Sequence, residues 1–202
     1  MIDVAVYYIS DDEIEERAEE FLAEHLPQRE IPIPIEEIIE VDLGIEILPI
    51  RAFATRYGIV GYLSNDMQTL VVDEDTMRRY PARYRFTLAH ELSHLLLHGD
   101  YIQQEFPESE MTWKEKLLKR DPKIHSRMEV QANRMAGALL VPRNELAIAW
   151  DEVKIYARAR GIEVEDLDEF GLSHLAARIG RDFNVSGQTV SIALQRYRIS
   201  ER

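Results

Sequence analysis

Within the run RFTLAHELSHLLLHGD, residues 85 to 100, three histidines stand four apart: His90, His94 and His98, with Glu91 following the first. On an α-helix, residues four apart share a face and lie about 6 Å apart along the axis. Two imidazoles at that spacing can converge on one zinc ion, each nitrogen about 2.0–2.1 Å from it. His90 and His94 fit this geometry. Glu91, rotated about 100° from His90, would sit beside such an ion rather than on it, where a carboxylate can take a proton from an attacking water. The pattern is H-E-x-x-H, and the chemistry it suggests is metal-assisted hydrolysis.

His98 is a poorer ligand. It stands about 12 Å from His90 along a regular helix. The helix-breaking glycine that would let a third histidine turn back onto the ion is absent, because Gly99 follows His98 instead of preceding it. His98 is therefore expected to end the helix and to satisfy a carbonyl or a nearby acid.

A catalytic zinc usually takes three protein ligands. The chain has no cysteine, which excludes thiolate metal sites, cysteine nucleophiles and disulfides and leaves His, Asp or Glu as the third ligand. His25 and His174 read as surface or packing residues. The run IHSRMEVQANRMAGALLVP is apolar through Met128, Ala132, Met135, Ala136, Leu139 and Leu140, so it should pack on the core beside the histidine helix. Glu129 borders that apolar face and needs a partner there. The partner is either zinc or a core arginine, Arg85 or Arg134. Asn133 shares the face of Glu129 and is placed to hydrogen-bond the far ring nitrogen of a metal-bound histidine. His125, four residues before Glu129, either faces the cleft and steadies a developing oxyanion or is exposed at the helix start.

The surrounding pattern supplies the elements that must position these groups. IDVAVYYI reads as a β-rich run, and SDDEIEERAEEFLAEHL as a helix opened by a Ser10–Glu13 capping box. IPIPIEEIIEVDLG is a proline-stiffened entry into a short helix stopping at Gly44. IEILPI, YGIVGYL and TLVVD are strand-like, the last two joined by a turn at SNDM. The histidine run reads as a buried helix from Pro81 to Gly99. A polar stretch follows, with a short helix expected near Trp113–Lys119. The ligand-bearing second helix ends at Pro142, and the remainder reads as helices with loops near Gly161 and at 184–187. The expected class is α+β: a small, mostly antiparallel sheet packed on the H-E-x-x-H helix and a second ligand helix. Residues 1–142 would form the core and 143–202 a helical C-terminal segment packed on it.

The net charge is −13. Residues 1–50 hold 15 acidic residues against two arginines, and the rest of the chain is balanced at 22 of each sign. The excess acid is therefore N-terminal, and it favours a solvated helix face or a basic partner over nucleic acid. The first 20 residues lack the basic segment of a secretory leader and no run is long enough to span a membrane, so a cytoplasmic protein is expected.

Taken together, IPIPIEEIIEVDLGIEI, GIVGYL, LVVD, RYRFTLAHELSHLLLH, EVQANRMAGALLVP and LAARIGRDFNVSGQTVSIALQRY resemble the ImmA/IrrE family of bacterial and phage metallopeptidases, from about residue 31 to 198. The resemblance implies a reduced thermolysin-like fold, zinc held by His90, His94 and Glu129, and Glu91 as general base. It also implies proteolysis of a protein substrate, a transcriptional repressor or immunity regulator. The stretch between Gly99 and Glu129 and the acidic region between Trp150 and Gly171 are long for the pattern and are expected to shape substrate choice.

Two other readings remain at this level. The segment LAARIGRDFNVSGQTVSIALQRYRI has a helix-turn-helix pattern. Residues 171–202 carry five arginines against only Asp182 and Glu201, a weak basic patch, and QTVSIALQRY is mostly apolar, which favours packing or docking of a partner over base reading. A regulator that keeps its zinc site without efficient proteolysis is the other.

Overall fold

The computed structural model describes residues 6–64, 66–105 and 121–199. Helix α1, Asp11–His25, begins where expected: the Ser10 hydroxyl accepts the Glu13 N–H at 3.2 Å, and Ile14, Ala18, Phe21 and Leu22 turn inward. A β-rich run is expected over residues 2–9; residues 2–5 lie outside the described residues, and residues 6–9 form no strand. Their carbonyls are taken by side chains instead: Arg127 donates to Val6 O at 2.6 Å and Gln131 to Tyr7 O at 2.8 Å.

The short helix α2, Ile35–Glu37, runs into a π-type turn, Ile38–Asp42, closed by Leu43 N–H on Ile38 O at 3.0 Å. Gly44 (φ +66°) then releases the chain into strand β1, Glu46–Ile50. Helix α3, Phe53–Tyr57, leads to β2, Gly61–Leu63, and β3, Thr69–Asp73. The β2–β3 hairpin is as expected, with Ser64 N–H on Thr69 O at 2.8 Å. The sheet order is β1-β3-β2, with β3 antiparallel to β2 and parallel to β1. The α+β class stands, but the sheet is mixed and its longer pairing is parallel. The cause is α3. It carries the chain past the position beside β1, and the hairpin returns β3 into that gap.

Helix α4, Glu74–Arg79, is capped by buried Asp73, which accepts from Thr76 N–H at 2.9 Å and from Ala54 N–H at 3.0 Å. Helix α5 spans Pro81–Glu105. The expected stop at Gly99 does not occur. Gly99 is not in the left-handed conformation that a glycine stop requires, and DYIQQE beyond it contains no breaker. Helices α6 (Pro122–Leu140), α7 (Arg143–Arg158), α8 (Glu169–Asp182) and α9 (Gly187–Arg196) complete the fold. The helix expected near Trp113–Lys119 lies outside the described residues.

Helix α5 packs chiefly on α6, and also on the sheet and α4; α1 lies against α6, and α8 against α9. Leu88, Ala89 and Leu92 of α5 meet Met135, Ala136 and Leu139 of α6 in one apolar core, continued by Trp150, Ile179, Phe183 and Val190. Buried Arg85 stitches three regions together: from α5 it donates to Ile33 O at 2.5 Å and to Asn184 O at 3.2 Å. Among the described residues no helix is long and apolar enough to cross a membrane.

Candidate metal centre

His90 and His94 stand one helical turn apart at the middle of α5, and Glu129 reaches them from the second turn of α6. His90 Nε2 and His94 Nε2 are 3.1 Å apart. Glu129 Oε2 is 3.4 Å from the first and Oε1 3.3 Å from the second. Four ligands placed tetrahedrally about 2.0–2.1 Å from an ion are about 3.3 Å from one another. These three groups therefore already have the spacing of three corners of that tetrahedron. Among the described residues no other trio of His, Asp or Glu converges in this way. Glu129 is not paired with either arginine that competes for it in sequence: Arg85 binds backbone carbonyls, and Arg134 pairs with Asp11.

The donor set suits a cation. The other nitrogen of each histidine is engaged, His90 Nδ1 by Asn133 Oδ1 at 3.1 Å and His94 Nδ1 by His98 Nδ1 at 3.2 Å. Two ring nitrogens and a carboxylate then meet at one point, where only a proton or a metal ion can reconcile them. The electrostatics agree. Burial pushes Glu129 upward, but hydrogen bonds and charge from His90 and His94 win and hold it well below the ordinary carboxylate range. Burial pushes His90 downward, and the Glu129 hydrogen bond, the charges of Glu91 and Glu129, and Asn133 together outweigh it, so its value is raised.

Glu91 projects to the sheet side. Its Oε2 accepts the Leu63 N–H of β2 at 3.2 Å. In the β2–β3 ladder Val60 and Ser64 bond β3, so the intervening Leu63 amide faces the outer edge of the sheet. Burial raises the Glu91 carboxyl, and His94, His90 and the Leu63 amide only partly offset it. A carboxyl raised in this way is a better proton acceptor near neutral pH. Gly61 makes the approach possible: a Cβ there would lie 2.4 Å from Thr87 Cγ2 and 3.3 Å from Glu91 Cγ.

His125 Nδ1 lies 3.7 Å from Glu129 Oε1, buried and, among the described residues, without a hydrogen-bond partner. His98 is not at a helix end. It is buried within α5, with Nε2 2.9 Å from Gln131 Oε1. Gln131 and Gly61 were invisible as site residues in the sequence, though Gln131 interrupts the apolar stripe of α6 and that interruption was the available signal. His25 and His174 lie elsewhere, near Asp42 and on Phe170 O respectively.

Residues 41–195 match the sequence profile of the IrrE N-terminal-like domain, Peptidase_M78. The chain belongs to this family. The IrrE N-terminal-like fold also aligns with a solved structure, a Mycobacterium tuberculosis transcriptional regulator, at a TM-score of 0.54 and 19% identity. That alignment covers 91% of this chain and 46% of the regulator, so the chain spans about half the length of that relative. No curated protein matches the chain.

Proposed function

We propose that this IrrE N-terminal-like chain is a zinc-dependent endopeptidase acting on a specific protein. The observation that carries the reading is the convergence of His90, His94 and Glu129 at tetrahedral spacing with Glu91 alongside but outside the triad, bonded to β2. When bound, the ion would supply the Lewis acidity that polarises the scissile carbonyl and acidifies the attacking water. Glu91 takes the proton from that water and passes it to the leaving amine. Leu63 N–H keeps its carboxylate aimed, and Asn133 orients His90. His125, whose Nδ1 lies 3.7 Å from Glu129 Oε1, would donate to the developing oxyanion. The outer edge of β2, apart from the Leu63 N–H that Glu91 takes, would offer backbone groups to an extended substrate added as a further strand.

The substrate we favour is a transcriptional repressor or an immunity regulator, in keeping with the family resemblance. Its recognition is by protein surface: the acidic N-terminal quarter disfavours nucleic acid. A cytoplasmic location fits such a substrate. The alternative, a DNA- or protein-binding regulator that keeps the zinc site without efficient proteolysis, draws on the α8–α9 pair, where Ser186 caps α9 after Asn184. Against base reading, α9 buries Val190, Ala193 and Leu194 and commits Arg196 to Arg134 O at 3.0 Å.

The test is Glu91→Gln against wild type, each co-expressed with the candidate repressor. Wild type is expected to cut it, and the variant to leave it intact while retaining zinc. Equal cleavage by both removes Glu91 from the mechanism; cleavage by neither, with binding retained, favours the alternative.

A further inference from the structure

The hydrogen-bond chain behind His94 has a fixed end. Tyr7 O is a backbone carbonyl and can only accept. Gln131 Nε2 donates to it at 2.8 Å, which turns Gln131 Oε1 toward His98. That oxygen also only accepts, so His98 Nε2, 2.9 Å away, carries a proton. A neutral imidazole has one N–H, so His98 Nδ1 presents its lone pair, and His94 Nδ1 at 3.2 Å must be the donor. The same count leaves His94 Nε2 without a proton. That atom is the one 3.1 Å from His90 Nε2 and 3.3 Å from Glu129 Oε1. His94, His98 and Gln131 are 8%, 3% and 2% exposed, so the two links among these three side chains are largely shielded from water.

We propose that His98 and Gln131 are positioning residues: anchored on the Tyr7 carbonyl, they hold His94 as its Nδ1–H tautomer, with Nε2 presented to the metal. The segment around Tyr7 thereby becomes a working part of the site, even though it lies more than 80 residues from His94 in sequence. The purpose of the relay rests on the zinc reading, but the tautomer can be measured without metal. With His98 a neutral imidazole, as in mildly alkaline solution, the direction of each link follows from the Tyr7 carbonyl, the one group that cannot donate.

The experiment is long-range ¹H–¹⁵N histidine spectroscopy on the full chain, chelator-treated and mildly alkaline, with zinc affinity measured by chelator competition. Wild-type His94 is expected as Nδ1–H. Gln131→Met keeps the volume but loses the acceptor, so both His94 tautomers should populate and zinc affinity should fall about tenfold or more. Gln131→Glu still accepts from His98 Nε2–H, so the His94 tautomer and zinc affinity should stay near wild type even if the fold melts earlier. Wild-type His94 as Nε2–H overturns the relay, as does Gln131→Met with unchanged tautomer and affinity. A wild type with the expected tautomer and no zinc affinity supports the relay and overturns the zinc reading instead.

Discussion

Replacing Gly61 with alanine tests how Glu91 is held. The added methyl would meet Thr87 Cγ2 at 2.4 Å, where ordinary carbon contact needs about 3.5–4.0 Å. Thr87 is β-branched and helical, so its γ-methyl has little freedom to swing away. β2 must therefore retreat by about 1 Å, which stretches the 3.2 Å Leu63–Glu91 hydrogen bond beyond useful length. Overpacking of this kind costs about 1–3 kcal/mol, and losing glycine's backbone freedom returns about 0.5–1 kcal/mol. At the middle of both ranges the net loss is about 1 kcal/mol, or about 2–4 °C in Tm for a chain of this size. Calorimetry on a double-mutant cycle gives the answer. Thr87→Ser removes the clashing methyl and should restore most of the loss in the Gly61→Ala background, whereas Thr87→Val keeps a γ-methyl and should not. A Gly61→Ala protein that melts with wild type, or equal rescue by serine and valine, refutes the close approach of β2 and α5 as the device that aims Glu91.

Further expectations follow from the charges of the site. Because burial raises the Glu91 carboxyl, its ionisation costs the folded state stability above the ordinary carboxylate range. Glu91→Gln should therefore raise the Tm of chelated protein at neutral pH; a lowered Tm contradicts the burial argument. In the same chelated protein, Glu129 is lowered, so its contribution is present above its ordinary value of 4.5 and lost as pH falls through its folded value. His90 is raised, so its contribution is present below 6.5 and lost as pH rises through its folded value. Thermal melts across pH should thus show the chelated chain losing stability on the alkaline side, and zinc should cancel that loss because it replaces the proton. Parallel curves with and without zinc would count against the shared site.

The part of the site that helical periodicity dictates was legible in the sequence. His90 and His94 had to share a face and Glu91 had to stand off it; Glu129 and Asn133 shared a face bordering the apolar stripe of α6, which left zinc or a core arginine as the partner of Glu129. What was not legible depends on contacts between distant segments. His98 looked like a helix terminus because Gly99 follows it, yet its partner, Gln131, is on another helix and its anchor, Tyr7 O, is near the N-terminus. A glycine stops a helix through a left-handed conformation, and residue type alone does not reveal whether it adopts one. Strand order was hidden for a similar reason: β1, β2 and β3 are each readable from β-branched and aromatic residues, but α3 decides which of them lies in the middle. The N-terminal apolar run has strand-forming residues and no strand partner among the described residues, so Arg127 and Gln131 bind its carbonyls instead.

The central claim is a His90–His94–Glu129 zinc site, and metal content tests it most directly. Wild type, His94→Ala and Glu129→Ala would be repleted with zinc, passed through gel filtration and analysed for bound metal. About one zinc per wild-type chain, with both variants nearly empty, is the expected result. A wild type that emerges without zinc, or a Glu129→Ala chain that retains it stoichiometrically, would contradict the site.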